Sequence, residues 1–161
     1  MLRQRAAHGQ RQVFRFLDDD GSVQTQRTLA ELLARGLRIG THLREVARLA
    51  PGDRVVLVYL PSMDFIEALL GCLLAGVVPA TIMPPHPVGS DVSHLHHVVR
   101  NAGAKALLSH GPYLSARRLG QLGRFARLRK AVRWPSLPWI RTDNVRVDIE
   151  IREPPSSDSR L

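Results

Sequence analysis

Seven side chains follow two apolar stretches of the chain, at the points where each stretch ends. They are Tyr59, Pro61, Met63 and Asp64 after the first stretch, and Pro84, Pro85 and His86 after the second. In open α/β sheets, ligands bind at the carboxyl ends of parallel strands. Most of these side chains are apolar, which suits a hydrocarbon-rich ligand better than a charged one. The sequence therefore predicts an apolar binding site at one sheet edge, although rigid proline turns alone would also explain the pattern.

A group of histidines, His94, His96 and His97, is the main candidate for metal binding. On a helix, His94 and His97 share a face, and Asp91 lies about one turn before His94. Two imidazoles without a clear third ligand are more typical of an exposed polar helix face. We therefore predict no metal site, with Asp91 left open as a possible ligand.

Two side chains, Cys72 and Ser62, could act as nucleophiles. Cys72 lies in the apolar stretch LLGCLLAG, where no basic neighbour lowers its pKa, so a buried structural thiol is the better interpretation. Ser62 follows a predicted strand but lacks the G-x-S-x-G pattern of a hydrolase nucleophile, and helix capping explains it. We assign no catalytic residue to this chain.

A glycine-rich phosphate loop is absent from the sequence. Neither G-x-G-x-x-G nor G-x-x-x-x-G-K-[ST] occurs, and the two lysines, Lys105 and Lys130, lie outside any such loop. Because backbone amides and a lysine usually hold nucleotide phosphates, we expect no cofactor to be bound by these residues alone.

The elements that position these residues alternate between strands and helices, after an initial pair of short strands. The predicted strands are Val13–Leu17, Val23–Thr25, Arg54–Leu60, Val77–Met83, Lys105–Ser109 and one beginning at Trp139. Thr28 and Glu31 have the spacing of a capping box and begin a helix of nearly twenty residues. Ser62 caps a second helix that ends at Gly76, and Ser90 or Asp91 begins a third. This order predicts an α/β fold with a parallel sheet whose first two long strands are buried on both faces.

The composition is that of a globular protein, with 44% hydrophobic and 23% charged residues. These values exclude collagen, coiled-coil and low-complexity classes, and one cysteine excludes a disulfide framework. The longest apolar run, Ala68 to Met83, is interrupted by Pro79 and is too short for a membrane span. No apolar stretch follows the polar start of the chain, so we expect a cytoplasmic protein without a signal peptide.

The net charge of +9 comes from one part of the chain. Residues 100–133 contain nine basic side chains and no acidic ones, whereas the remaining residues are balanced. We define the basic patch as Arg117, Arg118, Arg124, Arg127, Arg129 and Arg133. Such a patch could bind an anionic or lipid partner, as a non-catalytic interaction module. Nucleic acid is disfavoured because no aromatic side chains alternate with the arginines and no nucleic-acid-binding motif is present.

The stretch from Pro51 to Pro87, PGDRVVLVYLPSMDFIEALLGCLLAGVVPATIMPPHP, resembles the amino-terminal part of the acyl-adenylating enzymes. Within that superfamily it is most similar to fatty acyl-AMP ligases and to the ligase-like domains of disco-interacting proteins. The similarity begins with FLDDDG at Phe16 to Gly21 and extends to Thr142-Asp143. Met83 departs from the polar residue typical of the disco-interacting type.

The resemblance implies a partial parallel-sheet βαβ subdomain of an acyl-adenylate-forming ligase, incomplete without the rest of the enzyme. It implies an amino-terminal subdomain over residues 13–150, and the segments 1–12 and 151–161 on either side are predicted to be disordered. Family members use ATP and magnesium to convert a fatty acid to an acyl-adenylate, and pass the acyl group to a carrier-protein thiol or to coenzyme A. None of the family's ATP-binding motifs falls on these residues, so we expect an inactive fragment. Its partners would be the missing ligase half or an acyl carrier protein.

Overall fold

A computed structural model describes residues 12–87, 91–122 and 132–145 of the chain. Within these residues there are two sheets. β1 (Gln12–Leu17) and β2 (Val23–Thr28) form an antiparallel hairpin, and four further strands form a parallel sheet. The predicted segments 1–12 and 151–161 lie outside the described residues, apart from Gln12.

The parallel sheet and its helices have the predicted alternation of strand and helix. The sheet order is β4 (Val78–Ile82), β3 (Arg54–Val58), β5 (Ala106–Ser109) and β6 (Trp139–Arg141). The helices are α1 (Leu29–Thr41), α2 (Met63–Ala75), α3 (Ser93–Ala102) and α4 (Gly111–Leu122). All three strand pairings are parallel, which confirms the α/β class.

The central strand β3 is buried on both faces, as predicted. Its residues Val55 to Val58 are fully buried. Because successive side chains point to opposite faces, Val55 and Leu57 pack in one apolar cluster with α1 and α2, whereas Val56 and Val58 pack in a second cluster with α3.

The prediction that the second long strand is buried is wrong. β4 lies at an edge of the sheet among the described strands, and Val78 and Met83 are 49% and 68% exposed. The apolar composition of this stretch does not distinguish a central strand from an edge strand. Part of that composition comes from proline, which sheets tolerate at their edges, and part comes from the turn that follows the strand.

The predicted start of α1 and both predicted ends of α2 are confirmed. Thr28 and Glu31 form a capping box, and the Phe65 amide donates a hydrogen bond to Ser62 Oγ at the start of α2. Gly76 ends α2 in the left-handed conformation with φ of 71°, which favours glycine. The first helix is shorter than predicted, since α1 ends at Thr41 and a π-helical turn, His42–Val46, follows it.

Close packing joins α1 to α2. A Cβ atom added at Gly71 in α2 would lie 2.5 Å from Cγ2 of Ile39 in α1. The absence of a side chain therefore allows the two helices to approach each other, and α2 is held against the sheet beside the ends of β3 and β4.

Candidate functional site

Four side chains meet at the carboxyl edge of the parallel sheet. Tyr59, Met83, His110 and Thr142 directly follow β3, β4, β5 and β6. Because the strands are parallel and paired in register, their ends lie along one edge of the sheet. This is the edge at which open α/β folds bind ligands.

Tyr59 is fixed in place by its neighbours. Its ring stacks on the ring of His110 with centroids 5.8 Å apart, and its hydroxyl is hydrogen-bonded to Thr142 Oγ1 at 2.6 Å. Burial raises the pKa of the phenol well above its ordinary value, and the hydrogen bond with Thr142 only partly offsets this. Tyr59 is therefore a rigid wall of the site and stays un-ionised at neutral pH.

An apolar cavity of about 360 Å³ opens beside Tyr59. We define the apolar cavity by its lining residues, which come from the hairpin, α2 and the ends of β3 and β4: Phe16, Tyr59, Pro61, Phe65, Ile66, Thr81, Ile82 and Met83. None of these side chains is charged. The volume falls within the range of roughly 300–1,000 Å³ found for small-molecule sites, so the cavity suits an apolar chain.

The structure brings two of the four residues predicted after the first strand into this cavity. Tyr59 and Pro61 line it. Met63 is 5% exposed in the first turn of α2 and belongs to the core, and Asp64 is half-buried in the same turn. Neither is among the residues that line the apolar cavity.

The residues predicted after the second strand, Pro84, Pro85 and His86, are not among the cavity-lining residues. Pro85 has a structural contact, because its carbonyl accepts a hydrogen bond from the Tyr113 hydroxyl at 2.7 Å. The side chain that reaches the cavity from this loop is Met83. A ligand-binding role for these three residues stays a prediction.

Sequence reasoning missed most of the cavity wall. Phe16 comes from the hairpin and is far from the other lining residues in the sequence. Phe65 and Ile66 come from the start of α2. The only local signal for the α2 residues was their position directly after a strand end. No pattern in the sequence connects Phe16 to this site.

A buried ionic cluster lies on α2, one residue after Ile66. The carboxylate of Glu67, with a side chain 3% exposed, accepts hydrogen bonds from Arg27 Nε and from Arg35 Nη1, both at 3.1 Å. Arg27 belongs to β2 and Arg35 to α1. A carboxylate this deeply buried is stable only when it is paired, so the cluster ties the hairpin and α1 to the same point of α2.

The candidate metal ligands do not assemble into a site. His94 and His97 are exposed on α3, and Asp91 accepts a hydrogen bond from the Ser93 amide at 2.8 Å. Among residues 12–87, 91–122 and 132–145, no group of three or more His, Cys, Asp or Glu side chains is placed to hold a metal ion. The sequence also lacks a glycine-rich loop of the kind that holds nucleotide phosphates.

The predicted burial of Cys72 is confirmed. Its side chain is fully buried in the apolar cluster shared with α1 and β3. Burial raises the pKa of the thiol to about 12, so the reactive thiolate is scarce at neutral pH.

One arginine of the basic patch is already engaged within the fold. The Arg117 guanidinium lies 4.4 Å from the centroid of the Trp139 ring and 5.7 Å from that of Trp134, the geometry of cation–π contacts. Arg118 and Arg133 are exposed, and Arg124, Arg127 and Arg129 lie outside the described residues. Binding of a partner by this patch stays a prediction.

Within residues 12–87, 91–122 and 132–145, no helix combines the length and the apolar character needed to cross a bilayer.

The fold matches part of the fold of solved adenylate-forming proteins. It is similar to the fatty acid AMP ligase from Legionella pneumophila, with a TM-score of 0.67 and 24% identity over 90% of this chain and 23% of that chain. It is also similar to McyG A-PCP complexed with phenylalanyl-adenylate, with a TM-score of 0.65 and 21% identity over 92% of this chain and 23% of that chain. The predicted fold, part of an acyl-adenylate-forming ligase, is confirmed.

The sequence comparisons give the family. The profile of the family described as AMP-binding enzyme matches residues 2–150, and the chain belongs to this family. Mouse disco-interacting protein 2 homolog A is 37% identical over 99 residues, which are 60% of this chain and 6% of the relative. The long-chain-fatty-acid–AMP ligase FadD32 of Mycolicibacterium smegmatis is 31% identical over 104 residues, which are 63% of this chain and 16% of the relative. The resemblance inferred from the sequence is confirmed, and the chain spans only a small part of these relatives.

Proposed function

We propose that these residues form the amino-terminal part of a fatty acyl-AMP ligase and that the apolar cavity holds the hydrocarbon chain of the fatty acid. The observation that carries the proposal is an uncharged cavity at the carboxyl edge of the sheet, walled by Phe16, Tyr59 and Phe65. The likeness to FadD32, which is named a long-chain-fatty-acid–AMP ligase, supports the class of substrate.

We propose further that this chain does not catalyse adenylation alone. In the reaction, a carboxylate oxygen of the fatty acid attacks the α-phosphorus of ATP and pyrophosphate leaves. The described residues contain no cluster of three or more candidate metal ligands, and the sequence contains no glycine-rich phosphate loop. The residues that would stabilise the charge developing on the phosphoryl group would then belong to the rest of the ligase, which is the partner that this proposal requires. The acyl acceptor would be a carrier-protein thiol or coenzyme A.

The proposal that the apolar cavity binds the acyl chain is tested by photo-crosslinking with a dodecanoic acid that carries a terminal diazirine. We expect labelled peptides from the first turns of α2 and from the end of β4. Met83→Glu places a charge at the cavity and should weaken binding about tenfold or more. Leu60→Glu is the matched control, because Leu60 is 55% exposed two residues after β3 but does not line the cavity. Equal effects of the two substitutions, or labels spread over the surface, would contradict an acyl site here.

The proposal that the chain does not catalyse adenylation alone is tested by measuring pyrophosphate release from ATP in the presence of magnesium and dodecanoate. We expect no release above the protein-free rate with the purified chain. Release that depends on the fatty acid and saturates with it would show that these residues suffice for adenylation, and would overturn this proposal while leaving the cavity proposal in place.

A further inference from the structure

The hairpin forms one side of the apolar cavity. In the antiparallel register, Phe16 pairs with Thr25 and Phe14 pairs with Arg27. Because alternate residues of a strand share a face, Phe16 and Arg27 lie on the same face of the hairpin. Phe16 lines the cavity from this face, and Arg27 reaches Glu67 of α2.

Among the described residues, the hairpin is joined to the rest of the fold without strand pairing. A two-stranded ribbon is marginally stable by itself in water, and the hairpin does not pair with the parallel sheet. Its second strand ends at Thr28, where α1 begins. The backbone at Thr28 therefore joins the hairpin to the rest of the fold at one end, and the Arg27–Glu67 ion pair provides a second attachment beside it.

The anchor and the cavity wall belong to the same part of α2. Phe65 and Ile66 line the cavity, and Glu67 is the next residue. Arg35 occupies the other oxygen of the same carboxylate from α1. Glu67 therefore pairs with two arginines. Of these two, only Arg27 belongs to the hairpin that contributes Phe16 to the cavity wall.

We propose that the Arg27–Glu67 ion pair positions the hairpin so that Phe16 closes the side of the apolar cavity and thereby sets which acyl chains bind. Arg27 is a positioning residue in this proposal, and Phe16 determines specificity. The inference rests on the proposed function, since it assigns a chain-length determinant to the same acyl site.

The test compares Arg27→Gln with Arg35→Gln, because each substitution removes one cation from Glu67 but only the first one releases the hairpin. Octanoate, dodecanoate and hexadecanoate are used to displace 11-(dansylamino)undecanoic acid from the full chain. We expect Arg27→Gln to weaken binding of the preferred acid on the order of tenfold and to flatten the preference for chain length, as loss of one aromatic wall would do. Arg35→Gln should change affinity less than about twofold, and Arg27→Lys should restore part of the loss.

A double variant tests whether Arg27 acts through Phe16. Phe16→Ala should reproduce the effect of Arg27→Gln, and the double variant should be no worse than either single variant, because the wall is already lost. Additive losses would overturn the proposal. So would equal losses in Arg27→Gln and Arg35→Gln while the wild-type chain still binds acid at the crosslinked site. Failure of the wild-type chain to bind any of the acids would overturn the proposed function and this inference with it.

Hydrogen exchange without ligand provides a second measurement that does not depend on affinity. Amides of Val23–Thr28 should exchange faster in Arg27→Gln than in Arg35→Gln, while amides of Val55–Val58 keep their wild-type rates. Unchanged exchange in the hairpin would overturn the positioning role of Arg27, and unchanged protection of β3 shows that the variant has folded.

Discussion

The hairpin and the parallel sheet are held in place by different means. β3 is fully buried from Val55 to Val58, whereas the hairpin exposes Phe14, Leu17 and Val23 by 40% to 57%. The centre of the sheet is therefore stabilised by burial on both faces, which is non-directional and distributed over many side chains. The hairpin buries less apolar surface, and parts of a protein with few buried apolar contacts open at low energetic cost. The cavity wall contributed by Phe16 thus lies on the more exposed of the two regions.

The largest expected difference between the two regions comes from shortening a leucine in each. Leu57→Ala creates a cavity in the fully buried β3 and should lower the free energy of unfolding by about 2–5 kcal/mol. Leu17→Ala in the hairpin, where the side chain is 57% exposed, should change it by less than about 0.5 kcal/mol. Urea unfolding followed by circular dichroism measures both values. Similar losses for the two variants would mean that the hairpin belongs to the cooperative core.

Overpacking the contact between α1 and α2 should have a smaller effect. Gly71→Ala adds a Cβ that would lie 2.5 Å from Ile39 Cγ2, and we expect a loss of about 1–3 kcal/mol. Ile39→Ala makes room at the same contact, so its cost should be smaller in the Gly71→Ala background than in the wild-type chain. Independent costs in a thermodynamic cycle would show that the helices have another way to relieve the clash.

The junction between the two regions is tested at Thr28, which is the last residue of β2 and the cap of α1. Thr28→Ala removes the hydroxyl that accepts a hydrogen bond from the Glu31 amide. It should lower the free energy of unfolding by about 1 kcal/mol. Thr28→Ser keeps the hydroxyl and serves as the control. Thermal unfolding measures the stability, and a loss in Thr28→Ser as large as in Thr28→Ala would assign the effect to the side-chain methyl group.

The smallest expected effect is at Asp143, in the turn after β6. Burial alone would raise the pKa of this carboxyl, but hydrogen bonds from the Arg141 guanidinium and the Gly111 amide outweigh it and lower the pKa. A carboxyl with a lowered pKa in the folded state adds stability above its unfolded pKa of about 3.9, and this contribution is lost as the pH falls through the folded value.

Asp143→Asn should therefore be less stable than the wild-type chain at pH 7, by less than about 1 kcal/mol because solvent screens this partly exposed site. The difference in the free energy of unfolding between the two proteins should shrink progressively as the pH falls below about 4. A difference that stays constant down to pH 3 in urea unfolding would mean that the charge of Asp143 is not responsible.

Sequence reasoning succeeded where the signal is local. The capping box at Thr28, the cap at Ser62 and the left-handed end at Gly76 each depend on residues within a few positions of one another. The alternation of strand and helix identified the α/β class for the same reason. The edge position of β4 was missed because strand order is set by tertiary packing, which composition alone does not record.

The candidate site was only partly predictable. Tyr59 and Pro61 were identified from a general property of parallel sheets, namely that their carboxyl edge binds ligands. Phe16 and the Arg27–Glu67 pair join segments about forty residues apart, so only the folded chain brings them together. The wall that we propose to set specificity is the part that the sequence pattern did not reveal.

The single thiol of the chain lies where a reagent cannot reach it. Cys72 is fully buried against β3 in the cluster that includes α1, so it becomes accessible only when this part of the fold opens. Its rate of reaction with a thiol reagent under native conditions therefore measures how often this cluster of β3, α1 and α2 opens. A cysteine in place of the half-buried Phe16 would become fully accessible when the hairpin moves, even while the parallel sheet stays closed, so the two rates together would report how independently the cavity wall moves.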